Sequence, residues 1–134
     1  MAWLSKYQPQ LLSILRIVAG LLFLEHGMQK ILHFPPMSAA MAHAVPPNAM
    51  PIIMAAGFIE LIGGALITIG LCTRIAAFIA SGEMAVAYWL VHFTRGGPFP
   101  ANNQGDAAIL FCFVFLFLAA AGPGPLAVSR STKL

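Results

Sequence analysis

Hydrophobic positions run through this chain in four long blocks, broken by short clusters of proline, glycine and polar residues. A helix crossing a bilayer needs about 20 mostly apolar residues. The blocks predict such helices over roughly 9–33, 50–71, 74–94 and 105–122. Turn-formers separate them: Pro35-Pro36 and Pro46-Pro47 in the first link, Gly96-Gly97-Pro98 and Pro100 in the third. Gly122-Pro123-Gly124-Pro125 stops the last helix. The second link, Gly70-Leu71-Cys72-Thr73-Arg74, is short enough to make helices two and three an antiparallel hairpin, with Thr73 as the N-cap of the third. Alternating phenylalanines at 111, 113, 115 and 117 would suit a strand. A lone strand leaves its backbone unsatisfied in lipid, so the segment is read as helix. Ser38 could cap a short apolar turn over 39–44, lying as a lid on the outer surface, or the link could be an ordinary loop.

The fold class expected is all-α: one transmembrane domain over 1–134, an integral membrane four-helix bundle with antiparallel neighbours. Composition supports this, because 60% of the 134 residues are hydrophobic and only 8% are charged. Soluble domains carry about 25% charged residues. The net charge of +3 comes with no basic run, so nucleic acid is not an expected partner. Lys6 and Arg16 interrupt the first apolar block and no small-residue cleavage site follows, so the first helix is expected to be retained. Cys72 and Cys112 have no CxxC spacing. Lys6, Arg74, Arg130 and Lys133 fall on one side and Lys30 and Arg95 on the other, which predicts that both termini and the hairpin are cytoplasmic.

Charge inside the apolar blocks changes the picture. Arg16 and Glu25 lie in the first helix, Glu60 in the second and Glu83 in the third. A charge at the bilayer centre costs about 2.5–3.5 kcal/mol even on the gentlest scales. At 100° per residue, Gly20, Phe23, Gly27 and Lys30 share a face with Arg16, His26 flanks it, and Glu25 points the opposite way. Ala56, Gly57, Gly63 and Gly64 surround Glu60 with small residues, which marks a face where another helix packs. Ala76, Ala80 and Ala87 do the same for Glu83. Two carboxylates at one depth repel if both are ionised, so Arg16 is expected to reach Glu60 or Glu83, or one acid to keep its proton. Glu25, His26 and Lys30 form a more outward layer that Arg95, His92 and Asp106 could cap. The network can serve as salt bridges that hold the helices, as a ligand or proton site, or, through Glu25, as contact with a partner subunit.

The outer side carries other candidates. Met37, Met41, His43 and Met50, with His33 and His92, offer soft ligands that suit copper. His26 and His92 could hold a haem. Neither spacing matches a metal motif, and no metal ligand is assigned. Tyr88, Trp89, Phe93 and Phe99 suit the aromatic belt of a membrane interface, or a surface against which a quinone ring stacks.

The pattern Arg16-x3-Gly20-x5-His26-Gly27-x2-Lys30 resembles the first helix of DoxX family membrane proteins. So do Gly57-x2-Glu60-x2-Gly63-Gly64, Gly70-Leu71-x-Thr73-Arg74, Asn103-Gln104-Gly105-Asp106 and Gly122-Pro123-Gly124. The resemblance covers nearly the whole chain. It implies a small inner-membrane protein of the oxidoreductase type; relatives include a subunit of thiosulfate:quinone oxidoreductase and members of complexes that handle thiol and oxidative stress. The expected function is therefore a quinone-linked redox subunit. Glu60, Glu83 and His26 are its candidate catalytic groups, and Arg16, Lys30, Tyr88 and His92 would bind the quinone. Expected partners are the bilayer, membrane quinone, a soluble redox protein and a second copy of the chain. The competing readings are a non-catalytic anchor or assembly partner for a soluble redox enzyme, a metal-handling membrane protein, and transport of protons or a small anion.

Overall fold

The computed structural model describes residues 2–38 and 49–129. Among them there is no strand. The elements are a short α1 (Ala2–Ser5), α2 (Gln8–Ile31), α3 (Met50–Ile69), α4 (Thr73–Ala87), a one-turn α5 (Pro100–Asn103) and α6 (Asp106–Ala121). A π-helical turn, Tyr88–His92, and a final α-turn, Phe93–Gly96, extend α4. Three helices, Gln8–Ile31, Met50–Ile69 and Thr73–Gly96, are long and apolar enough to cross a membrane. The fourth apolar helix, α6, has 16 residues. Residues 39–44, read from the sequence as either a capped lid or an ordinary loop, and Met41 and His43 of the soft-ligand group lie outside the described residues.

Two helix pairs form the molecule: α2 packs along α3, and α4 packs along α6. Glycines set the register of the first pair. A Cβ on Gly64 would sit 2.5 Å from the backbone nitrogen of Leu24, and one on Gly20 would sit 2.8 Å from that of Thr68. A Cβ on Gly57 would sit 2.9 Å from Cβ of Lys30. No other residue fits these positions, and the backbones approach closely as small-residue helix interfaces do. Phe111 and Phe115 turn inward to join Phe23, whose ring centroid is 4.7 Å from that of Phe115. Phe113 and Phe117 face outward. The alternating phenylalanines are thus successive positions on a helix.

The α3–α4 hairpin is tight, as its sequence predicts. Gly70 adopts φ +76°, and its N–H and that of Leu71 return to the carbonyls of Ile67 and Leu66. That arrangement closes a helix C-terminus with a left-handed residue. Cys72, not Thr73, occupies the N-cap position of α4. Thr73 is the first helical residue and is buried, with no partner for Oγ1 among the described residues.

Candidate functional site

The structure separates the interior charges into two layers. The first lies at the end of the molecule that carries the termini of α2 and α6 and the α3–α4 turn. Arg16 is fully buried there. Its Nε donates to the carbonyl of Pro123 at 2.8 Å, and Nη1 donates to those of Ile67 and Thr68 at 2.5 Å each. Nη2 donates to the carbonyl of Leu126. Arg16 therefore reaches neither Glu60 nor Glu83, contrary to the sequence expectation. It closes the C-terminus of α3, whose last carbonyls have no intrahelical partner, and fastens the segment after α6. The tail adds bonds from the N–H of Val128 to Ile69 and of Ser129 to Gly70. Arg74 does the same for the second pair, donating from Nη1 to the carbonyls of Ala119 and Ala120 at the end of α6.

The second layer lies at mid-depth. Its ion pair is Lys30 Nζ to Glu60 Oε1, 2.5 Å, with the Glu60 side chain 2% exposed and that of Lys30 25% exposed. Lys30, expected beside Glu25, instead turns inward from the far end of α2. Gly57 makes room for its stem. Glu83 on α4 interacts electrostatically with both Glu60 and Lys30, and His26 on α2 interacts with Glu60. Oε2 of Glu60 and Oε2 of Glu83 are buried and have no hydrogen-bond partner among the described residues. A buried carboxylate oxygen without a partner is costly, and such groups in membrane proteins mark sites. The edge of the layer is aromatic: His26 meets Phe111 edge-on with centroids 6.5 Å apart. Beside Glu83, Ser81 Oγ donates to the carbonyl of Cys112 and ties α4 to α6.

The remaining candidates lie elsewhere. Tyr88 donates to the carbonyl of Pro98, and Nδ1 of His92 lies 3.0 Å from the carbonyl of Asn103. Asn103 in turn bonds to Gly97 and to the N–H of Gly105. These residues knit the π-helical turn to the loop before α6. His92 is about 13 Å further along its helix than Glu83, at 1.5 Å per residue. Glu25 is exposed and does not join the layer. Among the described residues, no three His, Cys, Asp or Glu side chains gather where they could hold a metal. Of the seven candidates, the structure brings together Lys30, Glu60, Glu83 and His26.

An apolar groove of about 250 Å³ runs between α3 and α4, lined by Phe58, Ile59, Ile62, Gly63, Leu66, Ala76 and Ile79. Ile59 and Gly63 bracket Glu60 along α3, and Ile79 lies one helical turn from Glu83. Sequence reasoning did not find it. The lone signal was Gly63, where an added Cβ would meet only a Phe23 ring atom, at 3.8 Å.

Comparison with known proteins adds a family. The DoxX family model matches residues 11–93. An uncharacterized protein of Haemophilus influenzae is 43% identical over 110 residues, covering 81% of this chain and 80% of that protein. A Bacillus subtilis protein named "Putative oxidoreductase CatD" is 30% identical over 97 residues, covering 72% of this chain and 69% of that protein. No solved structure matches the chain.

Proposed function

The chain belongs to the DoxX family of membrane proteins, and on that premise we propose that it is a quinone-linked redox subunit whose site is the Lys30, Glu60, Glu83 and His26 layer. The observation that carries this reading is the pair of buried, unpartnered carboxylate oxygens on Glu60 and Glu83 beside the Lys30 ammonium. The distant relative named as an oxidoreductase supports the reaction class. Such a donor and acceptor set suits a molecule with hydrogen-bonding oxygens on an apolar ring. A quinone, when bound, supplies reversible uptake of two electrons and two protons.

The chain's own residues do the rest. Lys30 has two further N–H groups beyond the one given to Glu60, and these donate to a carbonyl oxygen. Glu60 and Glu83 repel when both are ionised, so the layer holds a proton at one Oε2 and can pass it to a neighbouring oxygen. Phe111 forms an apolar wall, and the groove beside α3 and α4 takes an apolar tail. In this reading Arg16, Tyr88 and His92 position helices and do not touch the quinone.

The setting proposed is four spans, α6 included, in a bacterial inner membrane with both termini cytoplasmic. Lys30 turning inward supports that orientation, because it leaves Arg95 as the one cation loaded on the opposite end against Lys6, Arg74, Arg130 and Lys133.

The test is equilibrium binding of a short-chain quinone to the full chain in lipid nanodiscs. Glu83→Gln removes one proton-holding group from the layer but keeps its shape. Binding should weaken at least about tenfold, which is about 1.4 kcal/mol, with thermal stability equal to or slightly above wild type because a neutral amide needs no proton to sit beside Glu60. Wild-type protein that binds no quinone, or a variant that binds it equally well, rejects the proposal.

A further inference from the structure

Of the four charges that lie inside the apolar blocks, Arg16, Glu25, Glu60 and Glu83, only Glu25 takes no part in either layer. Glu25 is exposed on α2, and its side chain makes no hydrogen bond or ion pair with any described residue. Leu24, its neighbour, is the residue whose backbone faces Gly64, in the second half of α3 and well inside its span. A carboxylate is therefore presented outward within a membrane-spanning segment, six residues before the end of its helix and about 9 Å from it at 1.5 Å per residue. Gln29, one turn along, is half-buried and also bonds to nothing described.

The surroundings of Glu25 follow a pattern. Leu11, Leu15, Val18, Leu22, Glu25, Gln29 and Leu32 succeed one another at alternating intervals of four and three residues, and all but Gln29 are exposed. Spacing of that kind keeps one seam facing a partner helix along its whole length. Lipid places no demand for a polar pair in an aliphatic seam. Between helices, by contrast, side-chain hydrogen bonds are a main source of association.

We propose that this seam binds a second copy of the chain in a parallel two-fold contact centred on Glu25 and Gln29. The choice of a second copy follows from self-complementarity. Two-fold symmetry requires a surface that can satisfy itself. Here the Gln29 amide of each copy donates to the Glu25 carboxylate of the other, and the aliphatic positions on either side close around the polar layer. An unrelated subunit would have to supply a donor that this chain already carries at the right interval. The contact lies on the outward side of α2 and stands or falls independently of quinone binding.

The experiment measures energy transfer between donor- and acceptor-tagged full chains in liposomes over a range of protein-to-lipid ratios. Wild type should dimerise. Glu25→Leu should weaken association about tenfold, the order expected of an interhelical hydrogen-bonded pair in lipid. Glu25→Gln, which keeps donor and acceptor, should stay within about threefold of wild type. A second readout covers any variant that fails to fold: Leu32→Cys at the end of the seam should form a disulfide-linked dimer with copper–phenanthroline, whereas Phe99→Cys, exposed on the loop before α5, should not. A wild type monomeric at every ratio overturns the proposal, and leaves Glu25 for a different subunit. Equal dimerisation by Glu25→Leu, or equal cross-linking at Phe99→Cys, also overturns it.

Discussion

The two charged layers solve the same problem in opposite ways. Arg16 spends all three of its nitrogens on main-chain carbonyls of Pro123, Ile67, Thr68 and Leu126. Its charge is buried, but every group around it gains a donor, and the backbone ends of α3 and the tail need those donors. The Lys30 layer holds two acids and one ammonium, and it leaves an oxygen of each acid without a partner. A layer that exists to hold helices together would be expected to resemble the first. Residual hydrogen-bonding capacity is what distinguishes a place for a ligand from a structural lock.

The largest expected difference between them is in stability. Arg16→Leu strips donors from four carbonyls, those of Pro123 and Ile67 buried and those of Thr68 and Leu126 partly so, and should destabilise the protein by about 3–5 kcal/mol, since each orphaned buried group costs about 1–3 kcal/mol and neighbours relax in part. Thermal unfolding in detergent measures this. Arg16→Lys should recover only a fraction, because an ammonium is a point charge and cannot reach carbonyls on both sides. Next comes Glu60→Leu alone, which strands Lys30. The loss should be about 1–3 kcal/mol in the same melt, less than for a fully buried pair because Lys30 sits near its helix end and can swing toward the surface. The smallest effect belongs to Arg74→Gln. It weakens two hydrogen bonds at a partly exposed helix end and should cost about 1 kcal/mol, with quinone binding unchanged in a nanodisc titration.

Much of this was legible in the sequence. The apolar blocks place the helices because each run between turn-formers is long enough to bury its backbone. Glu60 among Ala56, Gly57, Gly63 and Gly64 announced a packing face, and the face shared by Gly20, Phe23, Gly27 and Lys30 is the one that meets α3. What misled was depth. Aligning helix midpoints puts Arg16 near Glu60, but α2 extends further than α3 toward the termini. Gly20 against Thr68 and Gly64 against Leu24 fix a register in which Arg16 meets the end of α3 and Lys30 falls one turn from Glu60. Register depends on contacts between helices, and single-helix periodicity carries no such information. The tail was illegible for a related reason. Gly122-Pro123-Gly124-Pro125 reads as a stop, and nothing in those residues says that their carbonyls are the ligands of an arginine more than a hundred positions earlier.

The most direct measurement replaces the ion pair by matched apolar residues, Lys30→Met with Glu60→Leu, and follows unfolding and quinone binding in the same preparation. A buried ion pair exchanged for well-packed apolar groups is often neutral or stabilising, so the melting temperature should equal or exceed that of wild type while quinone binding is lost. A collapse in melting temperature would make the pair a structural lock. Undiminished binding would place the ligand somewhere else altogether.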